Sequence, residues 1–482
     1  MALAPPTGID AGVYHFTIPK VILQERGLIP RDDIWIHKFG GFYMVYVAGM
    51  ALGGEILAKL LAFGAAAAAG VLAFAGAERL RAGAGWMAAF ILSSTPLFAG
   101  FVGYENLEPP IVMYLVAAAV SLFLYDGPGT SRWLLAACAF SGLAAGTKPN
   151  AFPVAVVLPA GAVLAILRER RGAAPVLAGG VVLFLITAGF WGAWNLMTTG
   201  TIVYQYPGTA LDQIPSAPSS WTWVAGGVFS MLGYLCTVGT YWTESAGPFI
   251  IAGIAGSAIF LWKRCSRLPL ALFASSILVY IAVLAALSPG HLWTSFGARY
   301  VAPASVGFGV FVAAPFASWA CEQRRFFRAA VVAALLLPAV PLAFLKGGKA
   351  AVAAPAALGI ESRSSYLAKK IETFVACETL NRLPDPNVRV LFVAYRPYYL
   401  DRPFIHAVQP ESPFYRGLRG RDDFIRRARE LAVTHVLYEP SAPQTPWMSD
   451  VDAFFGAPPF REVGRWPTWG NRWVRLYELP AK

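Results

Sequence analysis

Apolar runs of about 20 residues, parted by short polar connections, recur along most of this chain and constrain its fold more than any other feature. They fall near 51–77, 84–102, 110–125, 133–147, 151–167, 175–197, 247–262, 270–287, 300–319 and 329–345. A run of that length satisfies its own backbone polar groups as a helix and can cross the hydrocarbon core of a bilayer. Composition agrees, with 57% hydrophobic and only 14% charged residues, against roughly 25% charged in soluble domains. The expectation is a mostly α polytopic membrane protein of about ten transmembrane helices.

The net charge of +12 would suggest nucleic acid in a soluble chain, but its distribution excludes that reading. Basic residues gather at alternate connections: Arg79 and Arg81; Arg132; Arg168, Arg170 and Arg171; Lys263, Arg264 and Arg267; Arg324, Arg325 and Arg328. The opposite connections after residue 50 carry only Lys148 and Arg299. The positive-inside rule then puts residues 1–50 and the C-terminus outside. It also makes the Gly-interrupted stretch 221–241 an interfacial or re-entrant segment, because a crossing there would export two basic clusters. MALAPPTGID is neither a signal peptide nor a span, so an outer N-terminus implies a first span encoded upstream of Met1.

Three regions follow: an external loop with interfacial helices (1–50), a transmembrane helical domain (51–345), and an exported soluble α/β domain (346–482). In the last, VRVLFVAY (388–395), THVLYE (434–439) and RWVRLYEL (472–479) read as strands, and 365–381 and 421–432 as helices, giving a small βαβ-type layer. Trp466, Trp469, Trp473 and Tyr477 are either a carbohydrate platform or, the preferred reading, part of its core, and His435 is expected in a structural position. The cysteines (Cys138, Cys236, Cys265, Cys321, Cys377) form no CxxC pair.

Ionisable groups on the outer face are sparse. Asp10 is either a general base for an acceptor hydroxyl or the cap of a helix starting near Ala11. Tyr14, His15 and Lys20 follow on an amphipathic stretch whose Phe16, Ile18, Val21 and Ile22 suit an interface; His37 and Lys38 sit in a similar setting. Glu105 and Glu108 flank Asn106 in GYENLEPP, too few ligands for a convincing metal site. Lys148 and Arg299 defy the charge bias, which a bound phosphate, anionic lipid or a carboxylate partner would offset.

Taken together, PPTGIDAGVYHFTIPKVILQERGLIP, GLAAGTKPNA (142–151), WNLMTTGTIVYQYP (194–207), GARYVAPA (297–304) and LAVTHVLYEP (431–440) resemble the GT-C superfamily of lipid-linked sugar transferases. That group contains protein O-mannosyltransferases and aminoarabinose transferases. The resemblance implies a GT-C-like fold in a bacterial inner (cell) membrane, with the C-terminal domain periplasmic or extracellular. It implies an inverting hexosyl- or pentosyltransferase using a polyprenyl-phosphate-linked sugar donor and a glycan, lipid or protein acceptor, with no cofactor or metal. By position, the essential acid maps to Asp10 and the donor-phosphate ligands to Lys148, Arg299 and His291. Tyr14, His15, Lys20, Glu105 and Glu108 would be acceptor-side or supporting residues. The chain departs from many members in having Ala11, not an acid, after Asp10. Two rivals stand beside this reading: a lipid or sugar transporter or flippase, and a non-catalytic envelope-assembly protein.

Overall fold

The computed structural model of the chain describes residues 1–31, 40–125, 130–148, 173–201, 295–323, 325–408, 412–440, 450–468 and 472–480, with a few isolated positions between 151 and 279. The fold is mostly helical and ends in a small mixed sheet. After a π-helical turn (Ala11–His15) come α1 (Thr17–Gln24), α2 (Phe42–Leu80), α3 (Ala84–Ser94), α4 (Pro96–Phe101), α5 (Glu108–Leu124) and α6 (Arg132–Thr147). Then follow α7 (Ala173–Thr199), α8 (Ser295–Glu322) and α9 (Arg325–Ala357). Among the described residues, Phe42–Leu80 and Pro175–Thr199 are long and apolar enough to cross a bilayer. Val182, Leu185, Ile186 and Phe190 on α7 and Leu337 and Phe344 on α9 are exposed, an outer surface suited to lipid rather than water.

Helix α2 begins at Phe42, before the expected boundary at 51, and it breaks at Gly53–Gly54. Gly54 has φ 70°, a left-handed conformation that glycine adopts without steric cost. The second part, from Glu55 to Leu80, is about 39 Å long at 1.5 Å per residue, enough to span a hydrocarbon core. At its far end Arg79 donates to the carbonyl of Phe123, and Arg81 pairs with Glu322. At its near end Glu55 and Lys59 meet the C-terminal domain and the loop before α5. Basic Arg79 and Arg81 therefore sit at the opposite end of the bundle from the sheet.

Small residues bring α6 and α7 together. A Cβ on Gly142 would lie 1.9 Å from Thr187 Oγ1, and one on Gly146 would lie 2.6 Å from the Thr187 carbonyl oxygen. This Gly-xxx-Gly spacing lets two apolar helices approach at backbone distance. It also leaves the Gly146 carbonyl free to accept from Gly41 N–H at 2.6 Å, which fixes the start of α2.

The C-terminal domain contains α10 (Arg363–Lys370), α11 (Phe374–Asn381), β1 (Val390–Val393), β2 (Phe404–His406), α12 (Arg421–Glu430), β3 (His435–Tyr438), α13 (Val451–Phe455), β4 (Arg461–Pro467) and β5 (Trp473–Glu478). The sheet order is β2-β1-β3-β5-β4, with β2, β1 and β3 parallel and β5 antiparallel to both β3 and β4. Helix α12 lies between the parallel pair β1 and β3 in sequence, as the βαβ expectation required. The expected single helix 365–381 is two helices, divided where Ile371 is extended.

Side chains alternate across the strands. Leu391, Val393, Val436 and Tyr438 face a closed cluster around Phe424, Phe454 and Phe455. Val390, Phe392, Leu437 and Leu476 belong to one core continuous with α1, α2 and α5. Of the aromatics expected in the core, Tyr477 is buried and stacks on Phe455 at 4.7 Å. Trp473, however, is 40% exposed, since it opens β5 at the end of the hairpin with edge strand β4. Trp469 lies outside the described residues.

Candidate active site

Residues 1–25 are sandwiched between the bundle and the C-terminal domain. The apolar face expected to lie on a bilayer is instead covered by protein: Phe16, Ile18, Val21 and Ile22 are all buried. Phe16 packs against Tyr46 and Tyr398, at ring distances of 5.2 and 5.7 Å. Lys20 is turned away from the outer surface of the bundle. Its ammonium donates to the carbonyls of Tyr398 (2.6 Å) and Leu400 (2.9 Å) and pairs with Asp401 at 2.7 Å. It therefore staples the segment to the domain and is committed to that contact.

A second staple forms at the α2 break. Arg363 forks onto Glu55 at 2.9 and 3.1 Å, and the Tyr398 hydroxyl donates to the same carboxylate at 3.1 Å. Burial, and after it the negative charge of Glu55, pushes the Tyr398 and Tyr399 phenols well above their ordinary range. Both therefore remain hydrogen-bond donors. The Tyr399 hydroxyl donates to the carbonyl of Pro6, only a few residues before Asp10.

Asp10 is half-buried at the start of the π-helical turn, and its side chain makes no capping bond to that turn. π-Helical turns are rare and concentrate at functional sites. Here the turn buries Tyr14 and His15, and His15 Nδ1 shares a hydrogen bond with the Tyr43 hydroxyl at 2.9 Å. Tyr43 is the hub of the region. The carboxylates of Asp10 and Glu108, with Tyr14 and Tyr46, lie within electrostatic reach of it. Tyr43 and Tyr46 are one turn apart and both fully buried, so α2 presents two phenols on one face.

The loop before α5 supplies two buried ion pairs. Glu105 meets Lys59 of α2 at 3.0 Å, with side chains 1% and 3% exposed. Glu108, at the first turn of α5, meets Lys148 at the end of α6 at 2.9 Å, with side chains 1% and 10% exposed. Spacing of three residues places each carboxylate toward a different helix, so one short loop ties α2, α5 and α6 together. Lys59 also donates to the carbonyl of Ala4 at 2.6 Å, and a Cβ on Gly8 would lie 3.3 Å from Glu105 Oε2. Asp10, Tyr14, His15, Glu105, Glu108 and Lys148 thus converge beneath the C-terminal domain.

Arg299 enters on α8. That helix runs parallel to α5: Gly307 faces Leu115, and Phe311 packs on Phe123 at 5.0 Å. Eight residues before Gly307 correspond to about 12 Å of helix. The backbone of Arg299 therefore reaches the level at which Glu108 opens α5. His291, His37 and Lys38 lie outside the described residues, as does most of 198–246. Among the described residues, no three metal-ligating side chains gather.

Sequence reasoning missed Tyr43, Tyr46 and Lys59. The signal for the tyrosines was the one-turn spacing inside FYMVY, which reads equally well as an aromatic belt at a membrane interface.

No protein-family profile matches the chain, and no curated protein matches it. Solved structures do. The crystal structure of ArnT from Cupriavidus metallidurans in the apo state aligns over 98% of this chain and 94% of its own, with 16% identity and a TM-score of 0.54. The structure of the same protein bound to undecaprenyl phosphate aligns over 99% and 94%, with 16% identity and a TM-score of 0.57. The chain shares the ArnT fold. That fold is mostly helical with a small mixed sheet.

Proposed function

We propose that this protein is a GT-C type glycosyltransferase that moves a sugar from a polyprenyl-phosphate donor to an acceptor hydroxyl, with inversion, on the outer face of a bacterial inner membrane. One observation carries the reading. In a chain with the fold of ArnT, which has been crystallised with undecaprenyl phosphate, Asp10 stands with His15, Tyr43, Glu108 and Lys148 at one end of the bundle. The helices crossing the membrane number about ten, with Arg79 and Arg81 on the cytoplasmic side and the sheet domain outside.

In this mechanism Asp10 accepts the acceptor's hydroxyl proton as that oxygen attacks the anomeric carbon. The new oxygen–carbon bond forms as the bond from carbon to the lipid phosphate breaks, and the electron pair leaves on the phosphate. A carboxylate within hydrogen-bond reach of an acceptor hydroxyl can take its proton as the attack proceeds. Lys148 and Arg299, with His291, would meet the charge growing on the phosphate. Glu108 holds Lys148 in place for that role, and the His15–Tyr43 bond holds the turn that carries Asp10. Glu105 supports the same loop through Lys59. No step requires a metal, because a lipid phosphate is itself a competent leaving group.

A radiolabelled polyprenyl-phosphate sugar, supplied with membrane extract as the acceptor source, tests the proposal. The wild-type chain should move label to a product that no longer partitions with the donor. Asp10→Asn should abolish transfer while expression and donor binding persist. Vectorial movement of intact donor without transfer would support a transporter and refute the proposal. Near-normal turnover by Asp10→Asn would remove the assigned base.

A further inference from the structure

Apart from the Asp10 region, the structure contains an open cavity of about 270 Å³ between the first residues of the chain, the turn after α4, the end of α9 and α10. Its walls carry Lys59, Lys349 and Lys370, together with Thr7, Tyr104 and Tyr366, and no Asp or Glu lines it among the described residues. Lys59 is almost fully buried, Lys370 half-buried and Lys349 exposed at the mouth. Lys346 lies alongside, donating to the Gly100 carbonyl at 2.6 Å and sitting 4.6 Å from the Tyr104 ring centre. Lys349 approaches the same ring at 5.6 Å.

Like charges one helical turn apart repel, and Lys346 and Lys349 add to Lys370 around one small space, while the charge of Lys59 is met by Glu105. An anion held there would relieve that repulsion and draw charge-assisted hydrogen bonds from ammonium groups of different elements. The geometry below the cavity selects the kind of anion. Val352 lines the cavity, and the face of α9 leading away from it exposes Leu345, Phe344 and Leu337. Such a strip accommodates an acyl chain, whereas free phosphate has no use for it. We propose that the cavity is a site for the phosphate headgroup of an anionic lipid, with its chain lying along α9. Lys349 and Lys370 lie outside the transferase machinery, and the proposal does not depend on the transferase reading.

Native mass spectrometry of the full chain in mild detergent tests the proposal, with phosphatidic acid, phosphatidylcholine and inorganic phosphate as probes. The wild-type chain should retain phosphatidic acid in preference to phosphatidylcholine, and inorganic phosphate should displace it only weakly. The double variant Lys349→Gln/Lys370→Gln should lose affinity for phosphatidic acid by about tenfold or more, since two charge-assisted contacts are removed. Its lipid-free melting midpoint should be unchanged, because neither residue is in the core. Gly348→Trp fills the cavity from a position whose Cβ meets nothing within 4 Å, and it should block the lipid without unfolding the chain. Equal retention of phosphatidic acid by wild type and both variants would overturn the site. Phosphate binding as tight as that of the lipid would overturn the lipid assignment.

Discussion

Lys59→Met should destabilise the protein more than loss of both members of its pair, because it strands a buried carboxylate. Lys59 and Glu105 are separated by 3.0 Å with almost no solvent contact, and among the described residues neither oxygen of Glu105 has a hydrogen-bond partner of its own. At an effective dielectric constant near 20, the attraction at that distance is about 5 kcal/mol. It is offset by the desolvation of both ions, so the net worth of the intact pair is small. Removing one partner leaves the other uncompensated and typically costs about 3–5 kcal/mol. Lys59→Met/Glu105→Gln removes both charges and should recover most of that loss, giving a coupling of about 2 kcal/mol or more in a double-mutant cycle. Melting midpoints of the purified single and double variants in one detergent provide the assay. A double variant no more stable than Lys59→Met would refute the reasoning, since it would mean that Glu105 finds water or another partner when Lys59 is gone.

Gly142→Val should prevent α6 and α7 from packing, since its Cβ falls 1.9 Å from Thr187 Oγ1; a monodisperse, wild-type-like elution profile would contradict this. Burial lowers the proton affinity of His435 in the folded domain, so the unfolded state binds more protons below about pH 6.5 and stability should fall as pH drops through that range. His435→Asn should flatten this fall in hydrogen-exchange protection of β3, whereas an unchanged pH profile would show that His435 is not its source.

Legibility in the sequence followed chemistry that is local. Strands β1, β3 and β5 were readable because each is a continuous or alternating apolar run. By contrast, β2 has only three residues, and β4 is exposed along Arg461, Glu462 and Val463, so neither leaves a hydrophobic signature. Asp10, Glu108 and Lys148 stood out as rare ionisable residues in the connections between long apolar runs. Their partners did not, because Glu108–Lys148 and Glu105–Lys59 join residues 40 or more positions apart on different helices. Lys20 was misplaced for the same reason: its receptor is a loop of the C-terminal domain some 380 residues away. The apolar side of α1 could equally face lipid or protein by pattern alone. Only the continuous core, with Phe16 against Tyr398, selects protein.

A structure with the donor lipid bound tests the central claim most directly. The phosphorus of a polyprenyl-phosphate sugar should sit where the Lys148 ammonium and the Arg299 guanidinium both reach it. The anomeric carbon should lie between that phosphate and the Asp10 carboxylate, with the charged groups within roughly 10–12 Å, since an attacking hydroxyl must come to about 3 Å. Arg299→Ala should then weaken donor binding by about 2 kcal/mol. A donor phosphate lodged elsewhere, with Asp10 facing only protein, would contradict the account.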